Sequence, residues 1–114
     1  MSVIDASDEP VLPFGFRWEK ASQHEEGPPT ALTLDGVEIA RMMDKVAGGW
    51  FVLLERQRPS PPGEPFAPLV TRDCSSFEQG RRGTAMWATR HEVRIRSEVA
   101  ARIAANPRHL GAGR

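Results

Sequence analysis

Between residues 13 and 74 apolar side chains recur mostly at every second position, whereas beyond residue 76 they recur at three- and four-residue steps. The first period belongs to half-buried strands and the second to a helix that buries one stripe. Phe14, Phe16 and Trp18 alternate with Gly15, Arg17 and Glu19, which predicts a strand over 13–19. Leu32 and Leu34 alternate with Thr33, and Val37 and Ile39 with Glu38, on either side of Asp35-Gly36. Asp-Gly between alternating apolar runs is a strong hairpin signal, because a type I′ turn needs positive φ at both central residues. Strands over 31–34 and 37–43 follow.

Gly48-Gly49 offers a second turn, and Trp50 to Leu54 is apolar on both faces of a strand placed at 49–56. Such a strand is best explained when one face meets a helix and the other meets a partner or a loop. Five prolines between Gln57 and Pro68 exclude a ladder there and predict a stiff loop, since proline brings no donor. Residues 69–74 complete the sheet as a fifth strand.

Ser75-Ser76-Phe77-Glu78 has the spacing of a capping box with Ser75 as the cap. No proline then appears until Pro107, which predicts one helix over about 76–105. Phe77, Thr84, Ala88, Ile95 and Val99 share one stripe, with Trp87 and His91 at its edge. A fainter stripe of Met86, Val93, Ala100 and Ala104 lies on the opposite side. Gly80 and Gly83 weaken the first turns by about 1 kcal/mol each, and a break near Gly83 is the alternative to a continuous rod. The expected fold is therefore α+β: an antiparallel meander of three to five strands packed by one C-terminal helix. Residues 1–12 read as a loose acidic tail, 13–106 as a single domain and 107–114 as a flexible C-terminal tail.

Charge changes the picture only in its distribution. The chain of 114 residues has no formal net charge. Residues 1–45 carry four basic and nine acidic side chains, and 46–114 carry eleven and six, so the halves stand at −5 and +5. Arg81, Arg82, Arg90, Arg94 and Arg96 crowd the helix and are the candidate nucleic-acid contacts, joined by a sheet face carrying Arg17, Arg41, Arg56 and Arg72. Against that reading, Glu92–Arg96 and Glu98–Arg102 have the i,i+4 spacing of a solvated helix, and the arginines point around it rather than to one side. Gly80-Arg81-Arg82-Gly83 has the glycine spacing of a loop that clamps single strands, but no apolar helix precedes it.

No catalytic or metal-ligating residue emerges. Cys74 stands alone, so no internal disulfide forms, and it lies far along the chain from any base: His91 is about 25 Å away by helical rise. Cys74, His24, His91 and His109 lack the paired spacings of a zinc site. The single cysteine, the absence of a leader-like start and the short apolar runs point to a cytoplasmic protein that does not cross a membrane. Geometry supplies the leading functional expectation. A thirty-residue helix spans about 45 Å, against a domain diameter of about 35 Å, so part of it should overhang the sheet. Met86, Val93, Ala100 and Ala104 are the expected interface of a small non-enzymatic binding or adaptor protein. It needs no cofactor and acts on a protein partner or as a homodimer. Nucleic-acid binding is the alternative.

Overall fold

The computed structural model describes residues 11–65 and 67–105. Of the tails expected at 1–12 and 107–114, residues 1–10 and 107–114 lie outside the described residues, whereas Leu12 packs against the core. The strands are β1 (Phe16–Glu19), β2 (Ala31–Leu34), β3 (Val37–Asp44), β4 (Trp50–Leu54) and β5 (Val70–Cys74). The helices are α1 (Phe77–Arg90) and α2 (Glu92–Ala105). The five strands form one antiparallel sheet in the order β1-β2-β3-β4-β5, a meander in which each strand pairs with its sequence neighbours.

The hairpin turn between β2 and β3 is the one its dipeptide demands. Asp35 and Gly36 have φ of 53° and 82°, and Leu34 faces Val37 across the turn. One residue further into the pairing the register slips, because Thr33 opposes Glu38 while Leu32 opposes Ala40. Ile39 is the extra residue of this bulge. It is fully buried, and its carbonyl accepts the backbone N–H of Arg56 at 3.0 Å. β1 begins later than alternation predicts. Pro13 O accepts the Phe16 N–H, Gly15 takes a φ of 89°, and the turn leaves Phe14 93% exposed while Phe16 and Trp18 face the core.

Both helices feed one core with the inward residues of the sheet. Leu32, Leu34, Val37, Ile39, Met42, Val52 and Leu54 meet Trp87, Ala88, Ile95 and Val99. The other sheet face carries Arg17, Thr33, Glu38, Arg41, Met43, Phe51 and Leu53, of which Met43, Phe51 and Leu53 are half-buried. The two-sided character of β4 is thus resolved on its inner face by α1.

The helix starts one residue later than expected. Ser76, not Ser75, is the cap: its hydroxyl accepts the Gln79 N–H at 3.0 Å, and Gln79 Oε1 accepts the Ser75 N–H. Gln79 takes the part expected of Glu78 because the box has moved forward by one residue. The helix also does not run unbroken. His91, with φ −109° and ψ 20°, ends α1, and its N–H reaches both Trp87 O and Thr89 O. Its carbonyl already accepts the Ile95 N–H of α2 at 2.9 Å. The break falls there and not at Gly83, whose φ is not among the positive ones. Each helix of fourteen residues therefore spans about 21 Å. Ile103, in the last turn of α2, still packs against the core.

Candidate contact surface

Three of the five candidate nucleic-acid arginines are engaged within the fold. Arg94 grips Glu55 with both guanidinium nitrogens, at 2.9 and 2.8 Å, and reaches Glu98 at 3.0 Å. Glu55 directly follows β4 at a φ of 59°, a left-handed conformation that costs a non-glycine residue about 1 kcal/mol or more. Its carboxylate also accepts from Trp87 Nε1 and from Gln57 Nε2. Gln57 is fully buried and donates to Glu98 at 2.7 Å as well, while Arg58 lies 3.4 Å from Glu98. Burial works to raise the Glu55 pKa, but the hydrogen bonds from Arg94, Gln57 and Trp87 outweigh it and hold the group below its ordinary value. The network locks the end of β4 to both helices.

Arg96 is held by Glu92 at 2.8 Å and donates to the Phe14 carbonyl, with its guanidinium over the Phe16 ring. Arg81 lies over Trp18 at 4.5 Å and over Phe77 at 5.6 Å, capping the aromatic group that Trp50 and Phe77 complete edge-to-face at 5.0 Å. These three arginines hold the molecule together. Arg82 and Arg90 differ: both are exposed, and neither makes an ion pair among the described residues.

The four candidate interface residues are all exposed, Met86 by 60% and Val93 by 84%. Met86 lies one turn from both Arg82 and Arg90, so the outer face of α1 reads Arg82, Met86, Arg90. Val11, Ala85 and Thr89 join this row in lining a groove of about 490 Å³. Phe14, anchored through its carbonyl to Arg96, is also exposed.

Sequence reasoning missed one neighbour. Arg72 opposes Val52 across β5 and β4, and Val52 is a core position, so Arg72 points to the helix side of an edge strand. It lines a small cavity with Gly83, Met86, Trp87, Arg90 and His91. The inward parity of position 72 is the signal for this placement, and it sets Arg72 apart from Arg17 and Arg41 on the open sheet face.

Burial and the adjacent Asp73 push the Cys74 thiol up, away from the reactive thiolate. Among the described residues no three His, Cys, Asp or Glu side chains gather to hold a metal ion. No helix of the described residues is long and apolar enough to cross a membrane. The chain matches no family model, no curated protein and no solved structure.

Proposed function

We propose that this protein is a non-enzymatic binding or adaptor protein that works through protein–protein contact at the outer face of its helices. The observation that carries this reading is the exposure of large apolar side chains, Met86 and Val93 on the helices at 60% and 84% and Val11 and Phe14 ahead of β1 at 85% and 93%. Large apolar side chains exposed on a small domain, two of which (Val11 and Met86) line one groove, favour an interface over solvent. Along α2 the outer face holds Val93, Ala100 and Ala104, all exposed, and the neighbouring Arg94 and Arg96 are already neutralised. That stretch suits a second copy of the chain, because an isologous contact between two such faces sets no unpaired charges against each other. Sedimentation velocity with the wild type and Val93→Asp tests it. The expected outcome is a dimer that the aspartate dissociates by at least about ten-fold in Kd. A wild-type monomer at high micromolar concentration counts decisively against self-association.

The second reading, nucleic-acid binding, is favoured by Arg82 and Arg90, exposed on α1 with no carboxylate in range among the described residues. Two free arginines neutralise few phosphates, so any such binding should be weak and should vanish with modest salt. A gel shift at about 50 mM salt with duplex and single strands decides it.

A further inference from the structure

The cavity between β5 and the end of α1 is not explained by packing. Its wall carries Arg72, Arg90 and His91 around Trp87, Met86 and Gly83, with a volume of about 140 Å³ and no carboxylate in its lining. Neither Arg72 nor Arg90 makes an ion pair among the described residues, although Arg94, Arg96 and Arg58 all do. The nearest acid in sequence, Asp73, has the opposite parity on β5 and pairs with Lys45 at 3.1 Å. Unopposed arginines at a shared cavity repel each other unless an anion or solvent stands between them.

Three features make the cavity a built one. Trp87 is buried, and its indole N–H is tied to Glu55, so the floor is fixed. His91 is set by the break between the helices, with its ring 6.5 Å from that of Trp87. Gly83 is the third. Glycine inside a helix is unfavourable, and its neighbour Gly80 has a packing reason: a Cβ there would fall 2.4 Å from Met42 Cε and 2.9 Å from Cys74 Sγ. At Gly83 a Cβ would meet nothing within 4 Å. The missing side chain keeps the cavity open and serves no contact of the fold.

We propose that this cavity is an oxyanion site for a single phosphate group, either free phosphate or a phosphate monoester. Arg72 on β5 and Arg90 with His91 at the end of α1 line the one cavity, so its donors come from two elements, which suits the several acceptors of a tetrahedral oxyanion better than the two of a carboxylate. The carbonyl end of α1 opposes an anion with about half a charge, and two full guanidinium charges outweigh it. A continuous nucleic-acid backbone would need a row of free cations, whereas Arg81, Arg94, Arg96 and Arg102 are engaged within the fold and leave only Arg82 on the helices outside this site. The site stands independently of the contact reading, since dimerisation and phosphate binding have separate readouts.

The test is titration with sodium phosphate, followed through the His91 imidazole resonances and the melting temperature, with sodium chloride at matched ionic strength as the reference. Methyl phosphate, acetate and a thymidine oligonucleotide form the other arms. The expected result is a saturable phosphate response that chloride lacks and acetate shows only weakly. Methyl phosphate matching phosphate assigns a monoester, and phosphate alone assigns the free ion. Arg72→Gln and Arg90→Gln should each weaken binding by about ten-fold, and Gly83→Leu should abolish it by filling the cavity. Arg17→Gln, on the opposite sheet face, should leave it unchanged. An equal response to chloride, or a phosphate response that survives the Arg72→Gln/Arg90→Gln double variant, overturns the proposal. So does oligonucleotide binding with a salt dependence of several charges, which would make the surface a polyanion track.

Discussion

Glu55 shows what a single residue contributes when its backbone and its side chain pull in opposite directions. Its φ of 59° is unfavourable for any residue with a Cβ, yet its side chain, 11% exposed, collects donors from Arg94, Gln57 and Trp87. The charge-assisted bonds outweigh the backbone cost, because each contributes about 1.5–3 kcal/mol. Glu55→Gln keeps the shape and removes the charge, leaving Arg94 with Glu98 alone. We expect a loss of about 2 kcal/mol at neutral pH in denaturant unfolding. The pH dependence follows from the direction of the shift. A carboxylate whose folded pKa lies below its ordinary 4.5 contributes stability that is full above that value and is lost as pH falls through the folded one. The wild type should therefore lose more stability than Glu55→Gln on acidification below about pH 4.5. Parallel acid limbs would show that the carboxylate is not the stabilising group. None of this was legible in the sequence, where Glu55 is only the polar residue that ends an apolar run.

The elements were largely legible, and the places where they were not share a cause. Asp35-Gly36 announced its turn because the backbone requirement is local to those two residues, and the strands followed from alternation. The capping box was recognisable but ambiguous by one residue, since Ser75 and Ser76 both precede a residue able to reach back. The break at His91 was invisible to periodicity: Ile95 and Val99 still fall on the stripe of Thr84 and Ala88, so the pattern reads through it. Nor did composition separate the two helical glycines, which looked equally costly. The structure separates them by what a Cβ would touch. Gly80→Ala forces Met42 and Cys74 to move and should destabilise by about 1–3 kcal/mol despite alanine's better helix propensity. Gly83→Ala meets only open space and should stabilise by about 1 kcal/mol. Thermal unfolding of the two variants should move in opposite directions, and a shared sign would mean that propensity alone governs this helix.

At the scale of the molecule, the question is how α2 joins a domain whose core is mostly sheet and α1. Only Ile95 and Val99 of α2 are fully buried, with Ile103 beside them. At about 2 kcal/mol for each fully buried aliphatic side chain, that apolar contact does not by itself offset the ordering of fourteen residues. The remaining tie is polar: Arg94 and Glu98 reach Glu55, Gln57 and Arg58 at the end of β4, and Arg102 donates to the Arg56 carbonyl at 2.8 Å. That same network fixes Trp87, and so the floor of the phosphate cavity, while α2 presents Val93, Ala100 and Ala104 outward. Stability and the surfaces assigned to function therefore depend on one charged junction. Native-state hydrogen exchange makes the dependence measurable. In the wild type, amides of β2, β3 and β4 should exchange most slowly, and those of α2 should open at lower free energy. In Glu55→Gln the α2 amides should lose protection first and by more than those of β3, with the sheet little changed. Uniform loss across sheet and helices would instead make α2 part of one cooperative unit with the core, and the charged junction would then serve the whole fold and not the seating of its last helix.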